Sequence, residues 1–360
     1  MTLRSPSFTS VVCGLAALAT PFAVPAAAQA QKSEVHVIKK PLSGYHVLRR
    51  IPITGEGGWD YLSVDTASNR LFITRGNRVQ VMDLKTSLIV GEINGLNGVH
   101  GVAVDPATHR GYTSNGRDTT VSIFDVTTLT PQKTLRVTGA GPDAIMFEPV
   151  THRVFTFNGR GQNATAIDAT TDTVAGTVAL GGKPESAVSD GAGHVFVNIE
   201  DKSQLVEFDA ATLAVMNTYP IAPCVSPSGL AIDEANHLLF LGCDNSIMGI
   251  IDANTGRVVA TPTTGAGTDA NAFDPGTGLA FSSNGGAGTL TVVHQTRPNT
   301  FTTENIPTEK GARTMALDPR THFIYLITAK FNPAASPTAE QPRPRPSMVP
   351  GSAVILVVGV

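Results

Sequence analysis

The chain has 360 residues, 41% of them apolar and only 15% charged, with 35 glycines and 24 prolines. That composition suits a large, turn-rich β fold with a sizeable core, and it exceeds the usual length of one domain unless the domain is built from repeats. A formal net charge of −3 gives no general attraction to polyanions, so nucleic-acid binding, which draws most of its affinity from a basic surface, is disfavoured.

Residues 1–30 read as an export signal rather than as part of the fold. Arg4 supplies a positive start, an apolar stretch runs from Val11 to Val24, and Ala28-Gln29-Ala30 is a small-residue cleavage site. Cys13 follows Val12, where a lipoprotein site requires a small residue, and the apolar stretch before it is short. The mature chain is expected to begin at Gln31 and to be periplasmic or secreted, with residues 31–44 as an N-terminal extension. No other segment is long and apolar enough to span a bilayer.

From Asp60 onward the sequence repeats. In DYLSVD, HGVAVD, DAIMFE, ESAVSD, SGLAID, DANAFD and RTMALD the first residues are Asp60, His100, Asp143, Glu185, Ser228, Asp269 and Arg313, spaced 40, 43, 42, 43, 41 and 44 residues apart. That period, with several short strands per unit, predicts the blades of a β-propeller. Residues 101–139 show one unit: VAVD, a PATH turn, RGYTSN, a tight turn at Asn115-Gly116 expected to need positive φ at both residues, TVSIFDV, and a fourth strand, KTLRV. The other units span 57–97, 140–182, 183–224, 225–267, 268–312 and 313–360. A second Asp closes the third strand at Asp83, Asp125, Asp168, Asp209 and Asp252, a pattern the sixth unit breaks. The last unit has three strands of its own, so HVLRRIPI (residues 46–53) is expected to supply its fourth and close the circle, removing exposed edges. The expectation is an all-β, seven-bladed propeller over residues 45–360, four antiparallel strands per blade.

Cys224 precedes the first strand of the fifth unit and Cys243 ends its second, on one face of the propeller. In an oxidising compartment they form a disulfide candidate; a soft metal site with His100 or a redox thiol is the alternative. The units VAVDPATHRGYTSN and VSIFDVTTLT resemble the YVTN-type repeats of YncE-like seven-bladed propellers. PCVSPSGLAIDEANHLLFLGCDN, TDANAFDPGTGLAFSSNG and KGARTMALDPRTHFIYLITAKF resemble an exported bacterial subgroup of them. The resemblance covers the whole mature chain. It implies the fold, with ligand-binding, lactonase-like and surface-layer relatives among which fold alone does not choose.

Equivalent points of a circular repeat form a ring, and first strands line the central channel. Asp60, Asp143, Glu185 and Asp269 therefore converge at one mouth with His100 beside them, and the crowded carboxylates call for a cation or for donors. A divalent metal, calcium, magnesium, manganese or zinc, held by Asp60, His100, Asp143, Glu185 and Asp269 answers this; so do ion pairs with Arg313 and Lys183, or a simply solvated channel. Trp59 and Tyr61 flank Asp60 and either stack on a ligand or plug the channel. Arg75, Arg117 and Arg160 lie on loops above the mouth, where they orient an anionic ligand or remain solvated turn residues, and Ser228, Asn271 and Arg313 are further ligand-binding candidates. His109, His152, His194, His237 and His322 fall at the turn into the second strand on the opposite face and need only a structural role. The Pro-rich insertion at residues 331–351 enters on the mouth face as a lid, a partner-binding segment or a flexible excursion.

The chain carries no G-x-S-x-G, H-E-x-x-H, phosphate-binding Gly loop or C-x-x-C-H. Two functions follow. One is a binding or scaffold propeller that takes a small-molecule or protein ligand at the mouth. The other is a metal-assisted hydrolase or lyase, lactonase-like, with His100, Asp143 and Glu185 as its catalytic groups.

Overall fold

The computed structural model describes residues 43–333, 338 and 346–360. The export signal, most of the N-terminal extension and the tip of the Pro-rich insertion lie outside the described residues. The described elements are β-strands and one short 3-10 turn, Glu200–Lys202, and every strand pairing is antiparallel. They form five four-stranded sheets and one of seven strands. In the latter a single 18-residue strand, Leu88–Asp105, pairs with Gly76–Asp83 along its first part and with Arg110–Asn115 along its last.

Burial explains why the sequence reads as it does. Middle strands such as Arg110–Asn115 and Leu238–Cys243 are buried almost throughout, because each lies between two neighbouring sheets; the second is a continuous apolar run, whereas the first buries Thr113, Ser114 and Asn115 beside Tyr112. Outer strands such as Pro131–Arg136 and Val215–Pro220 are mostly exposed. The core is accordingly divided into layers between sheets; one layer joins Leu62, Leu71 and Ile73 to Tyr325, Ile327 and Ile355. First strands pack against one another in chain order, and the last, Met315–Asp318, packs against Leu62–Asp65, so they enclose an axis. The N-terminal strand His46–Pro52 pairs with Val354–Gly359 and becomes the outer strand of the final sheet.

Two turns recur. At the end of first strands, Asp65, Asp105, Glu148, Asp274 and Asp318 accept backbone N–H groups two residues on, and Asp233 one three residues on. Asn69, His109, His152, His237 and His322 then take φ between 51° and 59°. These histidines are turn residues, as are the pairs His152–Asp105 (3.1 Å) and His322–Asp274 (2.7 Å). The Asn-Gly turn corrects the sequence expectation. The loop after Asn115 runs to Thr119, and Thr119 rather than Gly116 has positive φ (64°). Asn115 instead clamps the hairpin by donating from Nδ2 to Thr120 Oγ1 and Ser122 Oγ. Glycine is needed at 116 for close approach: a Cβ there would lie 2.5 Å from His100 Nε2 and 3.1 Å from the Pro142 carbonyl oxygen.

Candidate site at the channel mouth

The first residues of the first strands meet at one end of the axis. His100 Nδ1 lies 2.6 Å from Asp60 Oδ2 and 3.4 Å from Asp143 Oδ1. One ligand atom from each of these three residues falls within 4.8 Å of the others. Arg313 Nη1 donates to Asp269 Oδ2 (2.9 Å), with Nη2 3.6 Å from Asp60 Oδ1. Ser228 Oγ donates to the Asp269 carbonyl oxygen at 3.0 Å. On the other side, Lys183 Nζ lies 3.1 Å from Glu185 Oε2 and is also bonded to Glu200.

One or two residues further along the same strands, Tyr61, Ala144, Ile145, Leu230, Asn271 and Met315 help line a narrow cavity of about 170 Å³. This floor, part apolar and part polar, lies beneath the carboxylates, and their acidities respond to burial. Burial, opposed by His100 and reinforced by Asp60, pushes Asp143 up to about 6. Burial and the Asp143 charge push Glu185 up to about 7 against the pull of Lys183. Asp269 is raised by burial despite Arg313. Burial disfavours the His100 imidazolium, yet its bond to Asp60 and the charges of Asp143, Asp60 and Glu185 outweigh that and raise its pKa. Burial and the same carboxylates lift the Tyr61 phenol well above its ordinary value.

Several sequence expectations need correction here. Of the five metal-ligand candidates, the structure groups Asp60, His100 and Asp143; Glu185 and Asp269 are instead engaged by Lys183 and Arg313. Arg75 is not a surface group: it is 1% exposed, and its Nη2 donates to the Gly55 carbonyl oxygen at 2.7 Å, holding the segment that leads into the first strand. Arg160 donates to the Gly116 carbonyl oxygen of the neighbouring unit at 2.8 Å. Arg117 is exposed, its stem against Gly98. Asn271 bridges first and second strands of adjacent units through Nδ2 to the Phe240 carbonyl oxygen (3.0 Å). Trp59 lies beside the channel rather than in it, its ring 6.1 Å from that of Phe331. Phe331 opens the Pro-rich insertion and forms an antiparallel bridge with Met348. Cys224 and Cys243 are joined in a disulfide.

Glu200 shares Lys183 with Glu185 from the loop after the second strand of the same unit; the sequence marks it as an acidic loop residue above the mouth, but no spacing rule links it to the ring.

No family model and no curated protein matches the chain. Solved structures do. A chain of the "Crystal Structure of Mitotic Checkpoint Complex" is similar over 96% of this chain and 99% of that one, with 14% identity and a TM-score of 0.71. Kuenenia stuttgartiensis hydrazine synthase is similar over 76% and 94%, with 15% identity and a TM-score of 0.66. "Structure of U3-55K" is similar over 87% and 98%, with 10% identity and a TM-score of 0.69. The radial sheets and these likenesses define the class as a β-propeller. At such identities the likeness concerns fold alone.

Proposed function

We propose that the protein is an exported, seven-bladed propeller of the YVTN-repeat, YncE-like kind, which captures a small ligand at its channel mouth through a divalent cation held by Asp60, His100 and Asp143. The count of seven rests on reading the seven-stranded sheet as two blades, with Leu88–Asp105 serving as the outer strand of one and the inner strand of the next. Export and the family likeness rest on residues 1–30 and on the repeat motifs.

The observation that carries the site is that His100 Nδ1 faces two carboxylates at once, at 2.6 and 3.4 Å. A cation in place of the shared proton would satisfy all three groups, with the imidazole neutral and ligating through Nδ1. Mixed carboxylate and imidazole donors suit manganese or zinc and admit magnesium or calcium. Lys183 and Arg313 hold Glu185 and Asp269 back from ligation, so among the described residues the trio supplies the protein ligands and the remaining positions are open to ligand oxygens.

Elemental mass spectrometry tests this on protein purified from the periplasm without chelator or affinity tag. Near-stoichiometric metal is expected, lost in Asp143→Ala and retained in Glu185→Ala. No metal in the wild type, with none taken up on titration, sinks the reading.

A second reading is favoured by Glu185 alone. A carboxyl lifted to about 7 beside a cation is suited to general-base work at neutral pH, as a metal-assisted hydrolase or lyase acting on lactones or esters requires. In that case Glu185→Ala keeps its metal and loses turnover.

A further inference from the structure

Beside the ring lies an open cleft of about 710 Å³, lined by Gly58, Trp59, Arg313, Phe331, Pro346 and Met348. Its volume falls in the range of small-molecule sites, about 300–1,000 Å³. Its walls are apolar and aromatic: the Trp59 and Phe331 rings stand 6.1 Å apart at 50°, and Phe331 is 44% exposed. Phe331 and Met348 are held in place by their backbone bridge and by the flanking bonds Asn332 N–H to Ser347 O and Val349 N–H to Lys330 O, both 2.8 Å.

Arg313 is the one charged residue lining the cleft among the described residues, and it stands between the cleft and the carboxylates. Asp269 fixes the guanidinium through Nη1, while Nη2, 3.6 Å from Asp60, is beyond hydrogen-bond range. The side chain remains 47% exposed. Most of its five N–H donors are thus free to meet a planar anion. We propose that this cleft binds a small amphipathic carboxylate, its apolar or aromatic body against Trp59, Phe331 and Met348 and its carboxylate on Arg313. The charge at the edge selects the head group, and the apolar walls select the tail. The assignment stands apart from the cation reading, since no residue of the Asp60–His100–Asp143 trio lines the cleft.

Trp59 is the sole tryptophan of the chain, so its fluorescence reports on this cleft without interference. Titrating the full-length protein in excess chelator with 3-phenylpropionate is expected to give a saturable change. 3-Phenylpropionamide, nearly isosteric but neutral, and 2-phenylethylamine, which carries the opposite charge on the same apolar body, are expected to bind at least about tenfold more weakly. Arg313→Met should erase that preference. Because it also frees Asp269, Gly58→Val provides an independent variant: a Cβ at Gly58 meets nothing within 4 Å, so a side chain enters there without a backbone clash and narrows the cleft, and with an unchanged thermal transition the acid should weaken about tenfold or more. No saturable change with the acid up to about 10 mM, an affinity floor of about 3 kcal/mol, overturns the proposal. So does an amine or amide that binds as well as the acid. Chelator removes any bound cation, so loss of the metal reading leaves these outcomes untouched.

Discussion

Glu185 illustrates how far the ring departs from ordinary side-chain chemistry. Its carboxyl is pushed up to about 7 by burial first and by Asp143 second, while Lys183 pulls it down. The folded protein therefore holds this proton more tightly than the unfolded chain, whose carboxyl titrates near 4.5. Such a group adds stability fully below the unfolded value, and the contribution is lost as pH rises through the folded one. Glutamine at this position keeps the volume and removes the charge, and Lys183 retains Glu200. In chelator-treated protein, Glu185→Gln should raise stability at pH 8 by about 2–3 kcal/mol and by nothing measurable at pH 4. Urea unfolding at the two pH values checks this; an equal effect at both would show that the shape of the side chain, not its charge, matters. Asp143, raised to about 6, should behave alike over a lower window.

At the scale of strands and turns, the repeat was legible because each unit uses the same turn chemistry. The acid ending a first strand, as in Asp105 or Asp274, accepts the N–H two residues on in five of the units, and the left-handed residue behind it recurs. What one unit's sequence does not encode is its neighbour. Arg75, Arg117 and Arg160 occupy equivalent loops, yet one is buried against Gly55, one is exposed, and one is tied to the preceding unit's backbone. The ring residues were likewise legible as a set, but their division into a His100 trio and two ion pairs depends on side-chain reach across strands. Gly116 looked like turn chemistry and proves to be space for His100. The disulfide belongs to this scale too. It ties the segment entering Pro227–Asp233 to the end of Leu238–Cys243, across a sequence separation of 19. Closing a loop of that length in the unfolded chain is worth about 3 kcal/mol. Cys224→Ala/Cys243→Ala should lose roughly that much in a denaturant midpoint measurement, and reducing agent should lower the wild type to the variant's level while leaving the variant unchanged.

For the whole molecule the question is what holds a circular array shut. Its weakest joint by chain connectivity is the final sheet, whose outer strand His46–Pro52 comes from the far end of the sequence. Around that strand, Tyr45 Oη donates to the His322 carbonyl oxygen (3.1 Å) and its ring packs on Phe281, while Ile53 N–H donates to the Ala353 carbonyl oxygen at 3.0 Å. Ser43 N–H reaches Glu304 (2.6 Å) on the neighbouring sheet, and Arg50 reaches Glu309 (2.8 Å) in the loop that follows that sheet's outer strand. The closing strand therefore locks two sheets, although it buries little of its own surface. Without it, Val354–Gly359 becomes a long apolar edge with unpaired N–H and C=O groups, a template for pairing with another chain. A chain beginning at Ile53 is expected to lose its cooperative thermal transition and to aggregate with increasing concentration, as light scattering after size exclusion would show. Arg50→Ala is the control, since an exposed ion pair contributes about 0–1 kcal/mol and should leave the transition in place. If the truncated chain stays monomeric with an unchanged transition, closure is carried by the packing of Met315–Asp318 on Leu62–Asp65 alone, and the terminal strand is dispensable to the circle.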